Sequence, residues 1–140
     1  AVTRLVGAGV SALDIAGAGG TSWSEVEMHR AKTEKDRQIA SAFINWGIPT
    51  AETIRLARET APQLPILASG GIRNGVEIAK AIALGAHMGG LASPFLKAAV
   101  ESSQAVVDVI NRIKTEIQIT MFAAGAKDLI SLSETPLIRR

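Results

Sequence analysis

Pro65–Gly75 reads PILASGGIRNG. A short apolar run ends in two glycines, an arginine and an asparagine, and Ile78, Ala79 and Ile82 then recur at helical spacing. The pattern predicts a buried strand, a tight loop and a helix. Asn74 is placed to cap that helix, and Gly85 to end it in the left-handed conformation. Gly70 and Gly71 let the backbone approach a ligand closely. The amides of Gly71, Ile72 and Arg73, with the start of the helix, form a preorganised anion site. Arg73 adds a guanidinium fork that matches phosphate oxygens. The alternative is an ordinary strand-to-helix turn whose glycines serve only tight packing.

Downstream, His87–Ala92 (HMGGLA) reads as another strand and passes through Ser93-Pro94 into a long helix carrying Leu96, Ala99, Val106, Val109, Ile110 and Ile113. The amides of Ala92 and Ser93 supply a second half to the anion site, and Pro94 stands where a helix needs no N–H. A further helix carries Ile117, Met121 and Phe122, a short one starts near Ala126, and the tail SETPLIRR reads as polar and frayed. Upstream, Ser11–Ile15 (SALDI) predicts a first strand, followed by the glycine-rich AGAGGTSW of Ala16–Trp23. Thr21 and Ser22 there offer hydroxyls to a phosphate or a ring carbonyl. The run is not a dinucleotide fingerprint, because the third glycine is missing and no helix is expected to start promptly. From Glu25 to Arg37 four acids balance four bases, so a solvated stretch is expected. Ile39 to Trp46 follow helical spacing, and Thr50 is a candidate cap for a helix with Ile54, Leu56 and Ala57 inward. Val2, Leu5 and Val6 read as the last turns of an opening helix.

Three strand–loop–helix units imply an α/β fold with a parallel sheet and right-handed crossovers. A closed (β/α)8 TIM barrel takes about 250 residues, and this chain has 140. Residues 1–140 are therefore expected to form a single partial barrel, its C-terminal portion; a small doubly wound open sheet is the alternative.

Composition narrows the function. The chain has no cysteine, which excludes disulfides, thiolate metal sites and a thiol nucleophile. Fifteen Lys and Arg against 13 Asp and Glu leave +2, no footprint for nucleic acid. An apolar content of 47% excludes disorder. The richest apolar stretch, Ile78 to Val100, is interrupted by Lys80, His87 and Lys97, so no membrane span is expected. No secretion signal is read at Ala1, and a cytoplasmic location is expected. Asp14, inside an apolar strand, calls for a hydrogen-bond partner. His29 reads as surface, His87 as packed, Glu25 and Glu27 as surface acids, and no metal-ligand spacing occurs. Trp23 could flank a ligand; Trp46 reads as core.

Four stretches, SALDIAGAGGTSWSEVE, NWGIPTAETI, ILASGGIRNGVEIAKAIALGAHMGGLASPFLKAA and MFAAGAKDL, together resemble the C-terminal part of the type 2 isopentenyl-diphosphate isomerases. The resemblance implies a barrel of the FMN-dependent type, with this chain supplying about strands six to eight. It implies interconversion of isopentenyl and dimethylallyl diphosphate in isoprenoid biosynthesis, with reduced FMN as the acid–base group. NADPH would be the usual reductant, and Mg²⁺ would hold the substrate diphosphate. Members are cytoplasmic and often homo-octamers or tetramers. On this resemblance Thr21 contacts FMN, Gly70, Gly71, Ile72 and Arg73 form the phosphate clamp, and Ala92 with Ser93 form a second phosphate turn. Ala16 stands where some members place a serine against FMN. The family's Mg²⁺-binding glutamate, its neighbouring glutamine, the strand lysine facing the flavin and the basic N-terminus would lie upstream of Ala1. The 140-residue chain alone is therefore expected to be inactive. Related flavoprotein classes fit less well. A 2-hydroxy acid oxidase would carry a His-and-Arg motif near a strand end, and an inosine-phosphate dehydrogenase a nucleophilic cysteine. The remaining alternative is an FMN-binding or assembly fragment without catalysis.

Overall fold

The computed structural model describes residues 1–138; Arg139 and Arg140, the end of the tail expected to fray, lie outside them. Three parallel strands, β1 (Leu13–Ile15), β2 (Ile66–Ala68) and β3 (Met88–Gly89), pair in the order β1-β2-β3. The register sets Asp14 beside Leu67, and Leu67 beside Met88. Each strand is shorter than its apolar run. Flanking bonds extend the pairing, from Ser69 N to Ile15 O at 2.8 Å and from Gly90 N to Ala68 O at 2.7 Å.

Helix α1 (Val2–Gly7) precedes β1, and α4 (Thr50–Thr60) leads into β2. After β2 comes α5 (Gly75–Ala83), and after β3 come α6 (Ser93–Glu101), α7 (Ser103–Ala123) and α8 (Leu129–Ser133). Side-chain alternation decides the layering. Ile15, Ile66 and Ala68 are buried with Ile54 and Ala57 of α4 and Ala81 of α5. A second cluster joins Ile78, Ala79 and Ile82 of α5 to Ile113 of α7 and Leu132 of α8. The opposite row of the sheet is left uncovered, with Asp14 and Met88 exposed and Leu67 half-buried. Helices thus line one face only, as in a barrel wall; a doubly wound sheet carries them on both.

Several local expectations fail for identifiable reasons. The stretch from Glu25 to Arg37 is solvated as expected, with no buried residue, but it is also helical, forming α2 (Trp23–Arg30) and most of α3 (Glu34–Ser41). Ser22 Oγ accepts from Glu25 N at 3.3 Å and Thr33 Oγ1 from Asp36 N at 3.1 Å, so each helix has a cap. A helix therefore does start promptly after the glycine loop. Helix α3 ends at Ser41, and the residues up to Trp46 form turns. Trp46 is 79% exposed and lies outside the core, with its ring edge-on to Phe43. The long helix after Pro94 breaks at Ser102, where extended backbone lets the hydroxyl cap Ala105 N at 3.1 Å; α7 then runs unbroken through Ile113 and Phe122. Thr50 is not the cap of α4. Pro49 holds that position, and Thr50 begins the helix.

Candidate anion and cofactor site

The three loops leaving the C-terminal ends of the strands meet at one cleft of about 610 Å³. Its walls are Ala16, Gly17, Gly20, Thr21 and Trp23 from the first loop, Ser69 to Arg73 from the second, and Gly90 to Ser93 from the third. All seven residues singled out from the sequence as cofactor contacts, Thr21, Gly70, Gly71, Ile72, Arg73, Ala92 and Ser93, therefore share a single opening.

Glycine is required at the junction of the first two loops. Gly70 and Gly71 have φ of +74° and +84°. A Cβ at 70 would fall on the carbonyl oxygen of Ala16, and one at 71 on that of Gly19. These glycines serve close loop-on-loop packing, so the packing alternative holds alongside any part they play toward a ligand. Thr50 Oγ1 fastens the same junction, lying 2.8 Å from Ala16 O and 2.9 Å from Gly70 O, with one proton shared between two acceptors.

The donor set is specific. Among the described residues no partner engages the N–H groups of Gly71, Ile72, Ala92 or Ser93. Helix α6 starts without a side-chain cap, which leaves its first donors and the positive end of its dipole on the cleft wall. Helix α5 has the expected Asn74 cap, but its start is not open to a ligand. Asn74 Oδ1 accepts from Glu77 N at 2.9 Å, and Glu116 Oε2 takes Gly75 N at 2.6 Å. The Arg73 amide is also engaged, donating to Glu77 Oε2 at 2.7 Å, while the Arg73 guanidinium meets Glu77 Oε1 at 2.8 Å. The expected contribution of the α5 start and of the Arg73 amide is therefore taken by side chains of the protein.

Among the described residues no carboxylate lines the cleft, and Arg73 is the cation on its wall. Four unengaged amides, one guanidinium and the absence of acid fit a phosphate group; Ile72, Leu91 and Trp23 (75% exposed) offer apolar surface to a ring. Asp14 lies on the uncovered face rather than buried, with Ser69 Oγ donating to its Oδ1 at 2.9 Å. His87, expected to be packed, is exposed at the opposite end of the strands, where its Nδ1 meets Arg58 and Ile66 N. No group of three His, Asp or Glu side chains that could hold a metal occurs among the described residues. No helix among them is long and apolar enough to cross a membrane.

The profile of the FMN-dependent dehydrogenase family matches residues 2–139. An isopentenyl-diphosphate delta-isomerase of Nostoc sp. is 47% identical over 137 residues, covering 98% of this chain and 39% of that protein. One from Stutzerimonas stutzeri is 48% identical over 136 residues, covering 97% of this chain and 39% of its own length. The chain thus spans about two fifths of these curated relatives. Among solved structures, a lactate oxidase of Pediococcus acidilactici superposes with a TM-score of 0.73 at 19% identity, over 96% of this chain and 32% of that one. A mandelate oxidase superposes with a TM-score of 0.69 at 22% identity, over 94% of this chain and 36% of that one.

Proposed function

The chain belongs to the FMN-dependent dehydrogenase family, and on that premise we propose that it is the phosphate-gripping portion of an FMN-dependent isopentenyl-diphosphate isomerase. The observation that carries this is the single cleft in which four unengaged amides and Arg73 converge with no carboxylate on the wall. The amides of Gly71, Ile72, Ala92 and Ser93 hold the cofactor phosphate, and Arg73 adds charge. Thr21, on the facing wall, steadies the flavin with its hydroxyl. Reduced FMN, when bound, supplies the acid–base group for moving a double bond without net redox change. The protein's own part is to anchor the phosphate, orient the ring and keep it against the strand ends.

Identity of 47% and 48% to isomerases, against 19% and 22% to oxidases, favours isomerisation. The first loop agrees, since Ala16 to Ser22 contains neither His nor Arg. One-sided helix coverage supports a barrel wall, and the resemblance to the C-terminal part of the isomerases supports reading β1 to β3 as strands six to eight. The remaining length of the relatives would then supply the proton-transfer residues and the Mg²⁺ ligands for the diphosphate substrate. NADPH as reductant, a homo-octamer or tetramer and a cytoplasmic location complete the proposal. Intact protein carrying reduced FMN and Mg²⁺ should interconvert isopentenyl and dimethylallyl diphosphate, followed by ¹H NMR. No conversion under those conditions contradicts the assignment.

A further inference from the structure

Arg73 stands on a partition. It lines the 610 Å³ cleft on one side and a second cavity of about 320 Å³ behind the loop on the other. Glu77 lines the second cavity and not the cleft, with Lys80 one turn further along α5. Arg73 is turned toward Glu77, whose carboxylate takes both its guanidinium and its amide. The cleft's cation is therefore already neutralised by a carboxylate that sits outside the cleft. The Arg73 side chain is 75% exposed and so free to swing, whereas that of Glu77 is 27% exposed and holds its place on the helix.

Resting on the assignment of the cleft to the cofactor phosphate, we infer that Glu77 is a built-in competitor for Arg73 and sets how tightly the phosphate is held. A dianion in the cleft and the Glu77 carboxylate both draw on one guanidinium, so binding must weaken the existing pair. Lys80 remains beside Glu77 to offset the charge when Arg73 turns away. Glu77 is thus a positioning residue that acts through Arg73 and tunes the preference for the phosphorylated flavin.

The test is flavin fluorescence titration of intact apoprotein with FMN and with riboflavin, which lacks the phosphate. Glu77→Gln keeps the shape and one acceptor but removes the charge. It should tighten FMN binding by about two- to fivefold, the range of exposed ion pairs, and leave riboflavin affinity unchanged. In an Arg73→Ala background the same substitution should have no effect on FMN. If Glu77→Gln weakens FMN, leaves it unchanged, or shifts FMN and riboflavin together, the residue is a structural cap and the inference falls. If Arg73→Ala alone leaves FMN affinity unchanged, the phosphate assignment itself falls, a distinct result.

Discussion

Glu116 Oε2, midway along α7, accepts the amide hydrogen of Gly75 at the first residue of α5, 2.6 Å away. The contact explains why position 75 is glycine, since a Cβ there would press on Ile113 O and on Glu116 itself. It also seals the start of α5 and leaves the start of α6 as the open one. Arg112 Nη1 holds the other carboxylate oxygen at 3.0 Å. Glu116→Ala strands a buried donor and should lower the unfolding free energy by about 1.5–3 kcal/mol, as expected for a bond to a charged group. Urea denaturation checks this, and Glu116→Gln should recover part of the loss.

Gly70→Ala should be far more damaging than Gly90→Ala, although both residues line the cleft. At 70 the backbone is left-handed and the added methyl meets a carbonyl oxygen, which cannot move cheaply. At 90 the nearest atom to an added Cβ is Ser69 Cβ, at 3.5 Å, an ordinary contact. The expected losses are above about 2 kcal/mol for the first and below about 0.5 kcal/mol for the second, by the usual scale of strained against unstrained sites. Thermal melts of the two variants decide it.

Arg58 ties together the far end of the sheet. Its guanidinium donates to Gly85 O at 2.6 Å, Pro62 O at 2.7 Å and Leu64 O at 3.1 Å. It also lies 3.0 Å from His87 Nδ1, which accepts from Ile66 N at 3.1 Å. With two donors on Nδ1, the proton of the neutral ring must sit on Nε2. Arg58→Met should cost about 1.5–3 kcal/mol. Long-range ¹H–¹⁵N NMR should find His87 in the Nε2–H tautomer, and an Nδ1–H ring would contradict the arrangement.

What was legible in the sequence is what is local. Strand β2 and the loop and helix after it follow from Ile66 to Ala68, Asn74 and Gly85, and the structure keeps Asn74 as the cap and Gly85 in the left-handed conformation. The glycine pair is required for packing against Ala16 and Gly19, which its spacing alone does not tell. Helices α2 and α3 were missed although Ser22 with Glu25, and Thr33 with Asp36, carry the capping spacing; their polar faces hid the signal. The break at Ser102 was hidden in the same way by apolar residues that continue at helical spacing across it. The salt bridge between Arg73 and Glu77 has a four-residue spacing, but Arg73 precedes α5, so helical periodicity does not point to the pair. Asp14 and Ser69, 55 positions apart, meet through strand register, and Trp46 escapes the core because nothing described packs over it. Partners of that kind depend on tertiary placement.

The Arg73 pairing has a consequence in acid. The Arg73 guanidinium, hydrogen-bonded to Glu77, holds that carboxyl below the usual glutamate range, helped by the Arg73 amide and against partial burial. A depressed folded-state value means the contribution is complete above the ordinary glutamate range and is lost as pH falls through the lowered value. Stability of the wild type should therefore drop more steeply on acidification than that of Glu77→Gln. Melts taken from neutral pH down through the carboxylate range test this, and parallel curves for the two proteins would contradict it.

Whether two successive loop turns hold one phosphate is decided by a crystal structure of the intact protein with FMN. Phosphate oxygens should lie about 2.7–3.2 Å from the amide nitrogens of Gly71 or Ile72 and of Ala92 or Ser93, in one cleft. FMN bound with its phosphate elsewhere, and those amides turned to solvent, would contradict it.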